Sequence, residues 1–248
     1  MAPRALNPRS LVRRTISPAR RLRLHLFLLD TPVISELFCA IDPAMRTGRV
    51  TKDCALVMDG YPRSGNSYAR ATFQYANGYD LPISTHAHSH RMPELGAKRG
   101  LPTIVLIRPP RDAIASARHF EPDVAVAASI AAYRRYYEPV LAFVDKVLVV
   151  PFADVITDMG AVINRCNERF GTHFAPWVST PEGEAAVAKM IDDATEIFAP
   201  QGRFDAMVSR PSAVRQDRAR LLADLSPADE AALVELDALY AKVIAAAN

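Results

Sequence analysis

The residues best placed to do chemistry lie in Met58-Asp-Gly-Tyr-Pro-Arg-Ser-Gly-Asn-Ser-Tyr68. An apolar run, Ala55-Leu-Val-Met58, enters a glycine-bearing loop, and a helical pattern follows. Backbone N–H groups at such a helix start lack intrahelical partners, and the helix dipole favours an anion there. Laid over the phosphate-loop pattern GxxxxGK[ST], the segment matches at Gly60, Gly65 and Ser67, but Asn66 stands where the pattern has lysine. That lysine serves the β- and γ-phosphates of nucleoside triphosphates, so its loss argues against ATP or GTP chemistry. The positive charge sits instead at Arg63, so the loop suits a phosphate-like group with its cation displaced. A second feature is Ile83-Ser-Thr-His-Ala-His-Ser-His-Arg91. In an extended segment His86 and His88 share a face, and His90 has the same phase beyond the expected strand end. Imidazoles can take up a proton near neutral pH or ligate a metal. No carboxylate or cysteine flanks the three as a further ligand, so no metal is expected.

The elements that must position these residues are legible in outline. Residues 55–58 and Thr103-Ile-Val-Leu-Ile107 read as buried parallel strands, and Val147-Leu-Val-Val150 as a third. Helices are predicted over residues 67–77 closed by Gly78, 112–120, 125–144 with a boundary at Glu138-Pro139, and 159–170 closed by Gly171. Ser226-Pro227-Ala-Asp229 announces a capped helix with Leu233, Leu236, Tyr240, Val243 and Ile244 on one stripe. Residues 181–220 are the least legible. Strands alternating with helices predict an α/β fold with a mainly parallel sheet, and the absence of repeats or long linkers predicts a single domain.

Tyr61-Pro62-Arg63-Ser64-Gly65-Asn66-Ser67-Tyr68 resembles the 5′-phosphosulfate loop of the sulfotransferases, YPKSGTTW, with Tyr61, Pro62, Ser64 and Gly65 identical. Arg63 replaces a lysine, a planar fork for a point charge. Arg108-Pro-Pro-Arg-Asp-Ala-Ile-Ala-Ser116 resembles the family's 3′-phosphate motif RNPKDxxxS. The resemblance covers residues 55–170 and implies a three-layer sandwich around the sheet, P-loop-NTPase-like, over residues 30–248. It implies 3′-phosphoadenosine 5′-phosphosulfate (PAPS) as co-substrate. Arg63, Ser64, Gly65, Asn66, Ser67 and Tyr68 would hold the 5′ end, and Arg108 and Ser116 the 3′-phosphate, with Asp112 capping the helix between them. Thr85-His86 resembles the family's Thr-His pair, which makes His86 the expected general base and His88 its alternative. The family's late basic tripeptide is missing, and Ser209 with Arg210 (or Arg215) is its best substitute. The Glu-Asp pair that closes the family's third strand is reduced here to Phe152-Ala153-Asp154. The acceptor is expected to be a carbohydrate, lipid or small alcohol. Two alternatives stay open: a P-loop kinase-like nucleotide transferase, and a non-catalytic phosphoadenosine-binding adaptor.

Composition bounds these readings. The chain has 248 residues, of which 50% are hydrophobic and 23% charged, enough apolar mass for a large core and too little charge for a disordered chain. Three cysteines without CxxC spacing point to free thiols in a reducing, cytoplasmic setting. Residues 1–29 hold seven arginines and no acid. Taking those seven from the net +3 leaves −4 for residues 30–248, which argues against a nucleic-acid partner. The same basic extension makes a peripheral membrane contact an expectation. Its apolar part is too short, and too interrupted by Arg23 and His25, for a signal peptide.

Overall fold

A computed structural model describes residues 24, 27–31, 34–41, 45–198, 222 and 225–247. Four strands form one parallel sheet in the order β2-β1-β3-β4: β1 (Leu56–Gly60), β2 (Ile83–Ser84), β3 (Thr103–Ile107) and β4 (Leu148–Pro151). Met58 pairs with Ile104 and Gly60 with Leu106 across β1 and β3, and Leu106 with Val150 across β3 and β4. Every residue of β1 and β3 is buried, which is why both read as continuous rather than alternating apolar runs.

The two faces of the sheet carry different helices. Leu56, Met58, Ile104, Leu106 and Val150 pack on α2 (Asn66–Asn77), α6 (Phe152–Thr157), α7 (Met159–Phe170) and α8 (Pro181–Phe198). Val105, Ile107 and Val149 pack on α4 (Pro110–Phe120), α5 (Val126–Tyr137) and α9 (Pro227–Ala247). Val57 belongs to a third cluster with Cys39 of α1 (Ile34–Ile41) and Met92 of α3 (Arg91–Lys98). The arrangement is a three-layer α/β sandwich. Burial of each large side chain such as Leu56, Met58, Ile104 or Leu106, all fully enclosed, contributes about 1.5–3 kcal/mol.

Local signals explain the helix ends. Gly78 and Gly171 follow α2 and α7 with φ of +105° and +65°, a region that costs glycine little. Ser226 Oγ accepts from the Asp229 N–H at 3.1 Å, and Leu233, Leu236 and Val243 turn inward from α9. Three expectations need correction. The helix predicted from Asp112 begins at Pro110, whose ring suits the first turn, so Asp112 lies inside that turn and caps nothing. The helix predicted over residues 125–144 ends at its expected boundary, with Tyr137 its last residue, but short 3-10 turns rather than more helix run from Pro139. The segment of His86 and His88 is not extended: β2 ends at Ser84, and both histidines have positive φ, +62° and +53°. Cys39, Cys54 and Cys166 are buried. No described helix is long and apolar enough to cross a membrane. Ser209, Arg210, Arg215 and most of the basic extension lie outside the described residues.

Candidate anion site at the carboxyl ends of β1 and β3

The chain leaves β1 towards β2 on one side and then returns across the sheet to β3 on the other. In open parallel sheets the crevice outside the carboxyl ends at such a switch point is where ligands bind. Both motifs open on this crevice. α2 begins after Gly65 and α4 after Pro109, and no side chain caps either helix. Two helix starts therefore point uncapped N–H groups and positive dipole ends at the same place.

The loop between β1 and α2 is held from behind by α5. Tyr137 Oη donates to the Leu106 carbonyl at 2.7 Å, and burial pushes its pKa well up, so the hydroxyl keeps its proton. With that hydrogen committed, Tyr137 Oη accepts from the Tyr61 N–H at 3.2 Å and from Ser64 Oγ at 3.2 Å. Tyr61 Oη in turn donates to the Ser129 carbonyl at 3.3 Å. Asn66 spends its amide on the carbonyls of Gly60 (3.5 Å) and Tyr61 (3.3 Å). Tyr68 Oη reaches Glu184 of α8 at 3.4 Å. The side chains of Ser64, Asn66 and Tyr68 thus shape the loop, and what they offer a ligand is backbone.

The cations come together. Arg63 has φ +70°, and its Nε donates to Ser116 Oγ on α4 at 3.2 Å. Arg108, only 4% exposed, donates from Nη1 to the Arg63 carbonyl at 2.9 Å. Its guanidinium lies over the Phe152 ring at 4.1 Å, and that of Arg63 over Phe120 at 5.5 Å. The Arg108 carbonyl accepts from Tyr133 Oη at 2.8 Å. Arg63 thus meets Arg108, 45 positions on, and Ser116, 53 positions on, and two cations share one place at the ends of β1 and β3.

The histidines line the other side of the β1 terminus. His86 Nε2 is 3.2 Å from Ser67 Oγ, and its buried Nδ1 has no hydrogen-bond partner among the described residues. Burial, then the neighbouring His88 and Arg70, push its pKa down to about 3. The His88 ring lies 5.9 Å from that of His86, centroid to centroid. His88 Nδ1 is 2.8 Å from the Gly60 carbonyl and 3.6 Å from Asp59 Oδ1. Asp59 is fully buried, and burial raises its pKa to about 7 against the pull of the N–H groups of Gly60, Ser89, His88 and His86. His90 instead approaches Asp30, Nδ1 to Oδ1 at 3.7 Å. Among the described residues no group of three or more His, Cys, Asp or Glu is arranged to hold a metal ion. Asp154 is taken up by Arg165 at 2.7 Å.

Asp59, Phe120, Tyr133, Tyr137 and Phe152 escaped the reading of the motifs. Only Asp59 carried a signal, a carboxylate inside an otherwise apolar strand.

No family model and no curated protein matches the chain. Among solved structures, it is similar to the mouse sulfotransferase SULT7A1 complexed with PAP, at 13% identity and a TM-score of 0.45. That likeness covers 75% of this chain and 84% of the other. A likeness so faint decides nothing about function, which is left to the site.

Proposed function

We propose that this chain is a PAPS-dependent sulfotransferase, moving a sulfuryl group to an acceptor hydroxyl of a carbohydrate, lipid or small alcohol. The observation that carries the reading is the hydrogen bond from Arg63 Nε to Ser116 Oγ. It joins the two segments whose sequences resemble the 5′-phosphosulfate loop and the 3′-phosphate motif. Arg63 and the N–H groups at the start of α2 would meet charge developing on the leaving phosphate. Removing one such preorganised donor costs about 10²–10³ in kcat in comparable sites. Arg108 and Ser116 would hold the 3′-phosphate. Phe120 and Phe152 fix the planes of the two guanidinium groups.

The kinase-like alternative loses support from Asn66, whose amide is directed at loop carbonyls where a triphosphate loop needs a cation. Thermal denaturation with 3′-phosphoadenosine 5′-phosphate (PAP) tests the binding. At a hundredfold excess over Kd, Tm should rise by about 5–10 °C, and ATP should not reproduce the rise. Transfer of labelled sulfate from PAPS across an acceptor panel then separates an enzyme from a binding adaptor. An ATP shift equal to that of PAP would overturn the reading.

A further inference from the structure

We propose that Asp59 is a positioning residue for His88, and that His88 Nε2 rather than His86 takes the acceptor's proton; this rests on the sulfuryl-transfer reading. A carbonyl can only accept, so His88 Nδ1, at 2.8 Å from the Gly60 oxygen, carries the hydrogen. The lone pair of the neutral ring is then on Nε2. Asp59 Oδ1 lies 3.6 Å from the same Nδ1, within ion-pair range and out of water, where it meets the charge of a doubly protonated ring. The His88 side chain is 29% exposed while Asp59 is fully enclosed, so the pair runs from the interior to the surface.

The backbone supports the same assignment. N–H groups of His86, His88 and Ser89 turn towards the Asp59 carboxyl, with Ser89 N at 3.4 Å from Oδ2. Left-handed residues at 86 and 88 give the segment the concave form in which successive amides face an anion. Asp59 is therefore both the anchor of the histidine segment and the counter-charge of His88. His86 fits the role less well, with Nδ1 sealed in protein and Nε2 against Ser67. The other titratable groups facing the pair are His86 and, from α5, the buried Tyr136 and Tyr137, both neutral across the working range; Arg70 of α2 acts on His86.

In the transfer step, the acceptor oxygen forms its bond to sulfur as the bond from sulfur to the phosphate oxygen breaks. The electron pair of the broken bond goes to that phosphate oxygen, beside Arg63. The acceptor's proton goes to His88 Nε2, and Asp59 balances the imidazolium.

The experiment uses the full chain and the variants Asp59→Asn, His88→Gln and the double variant. Histidine ¹H–¹⁵N spectra should show His88 as the Nδ1–H tautomer in the wild type. In Asp59→Asn the pH at which that ring gains its second proton should fall by about one to three units. Sulfuryl transfer should fall about 10²–10⁴-fold in His88→Gln with the KM for PAPS unchanged, and the double variant should be no slower. An Nε2–H tautomer, a ring titration that Asp59→Asn leaves in place, or full transfer by His88→Gln each overturns the proposal. The wild-type spectrum decides even if Asp59→Asn does not fold. PAP failing to bind the wild type sinks the sulfuryl-transfer reading separately, since the spectra are recorded without nucleotide.

Discussion

Asp59 raises a question of cost, because burial drives its carboxyl from an ordinary 3.8 up to about 7, so the counter-charge that His88 needs forms only from about neutral pH upward. The sign follows from linkage. The folded state binds the proton more tightly than the unfolded one, so the contribution is complete below about pH 4 and is lost as pH rises towards 7. At about 1.36 kcal/mol per unit, the loss is at most about 4 kcal/mol. Asp59→Asn removes this titration. Urea denaturation at pH 4.5 and 7.5 should show the wild type losing stability relative to the variant as pH rises. A pH-independent difference would contradict the raised value. Arg108 makes a second case at this scale. Arg108→Lys keeps the charge but loses the planar contact on Phe152 and the fork that reaches the Arg63 carbonyl. PAP affinity, measured by calorimetry, should fall about 10- to 100-fold, the worth of one charged hydrogen bond.

Among the elements, α5 governs the site although none of its residues belongs to either motif. Tyr137 links the β1 loop to β3 through three hydrogen bonds at one oxygen. Tyr137→Phe leaves the Tyr61 N–H, the Ser64 hydroxyl and the Leu106 carbonyl short of a partner, at about 1–3 kcal/mol for a buried group left unsatisfied. A chain of this size should lose about 2–4 °C of Tm per kcal/mol, readable by calorimetry. Gly60 is a tighter constraint. A Cβ there would stand 2.3 Å from the Leu106 carbonyl oxygen, so Gly60→Ala must push β1 from β3 and should cost about 1–3 kcal/mol. What the sequence made legible follows the same division. Helix ends marked by Gly78, Gly171 and Ser226 are local events, and so were readable. The left-handed turns at His86 and His88 answer to Asp59, some 27 residues earlier in the chain, and no local pattern records them. α8 stayed hidden because only a narrow stripe of it, Val187, Met190 and Ile191, joins the core. Arg63, Arg108 and Ser116, which the structure brings together, were singled out by motif, while the aromatic rings that steady the two arginines were not.

Charge divides the whole molecule. The seven arginines of residues 1–23 account for its positive sign, and without them the remainder carries −4. Basic residues near an anionic bilayer each contribute about 1 kcal/mol of attraction, and α1 exposes Leu37 and Ile41 beside them in the sequence. Full-length protein should cosediment with anionic vesicles at low salt, and a chain lacking residues 1–23 should not. The PAP-dependent rise in Tm should survive the deletion, because neither Arg63 nor Arg108 is removed. Equal pelleting of the two would dismiss the membrane contact.

The sheet's margin at β2 has a consequence of its own. That strand is two residues long, and the turn at residues 46–48 occupies its flank: the Thr85 N–H donates to the Thr47 carbonyl at 2.6 Å, and Ser84 Oγ to that of Gly48 at 3.0 Å. A bare, lengthy border would invite foreign chains to stack on it, the first step towards fibrils. Here the border is too brief to copy and already partly covered, so crowding at high concentration finds little template on this side of the protein.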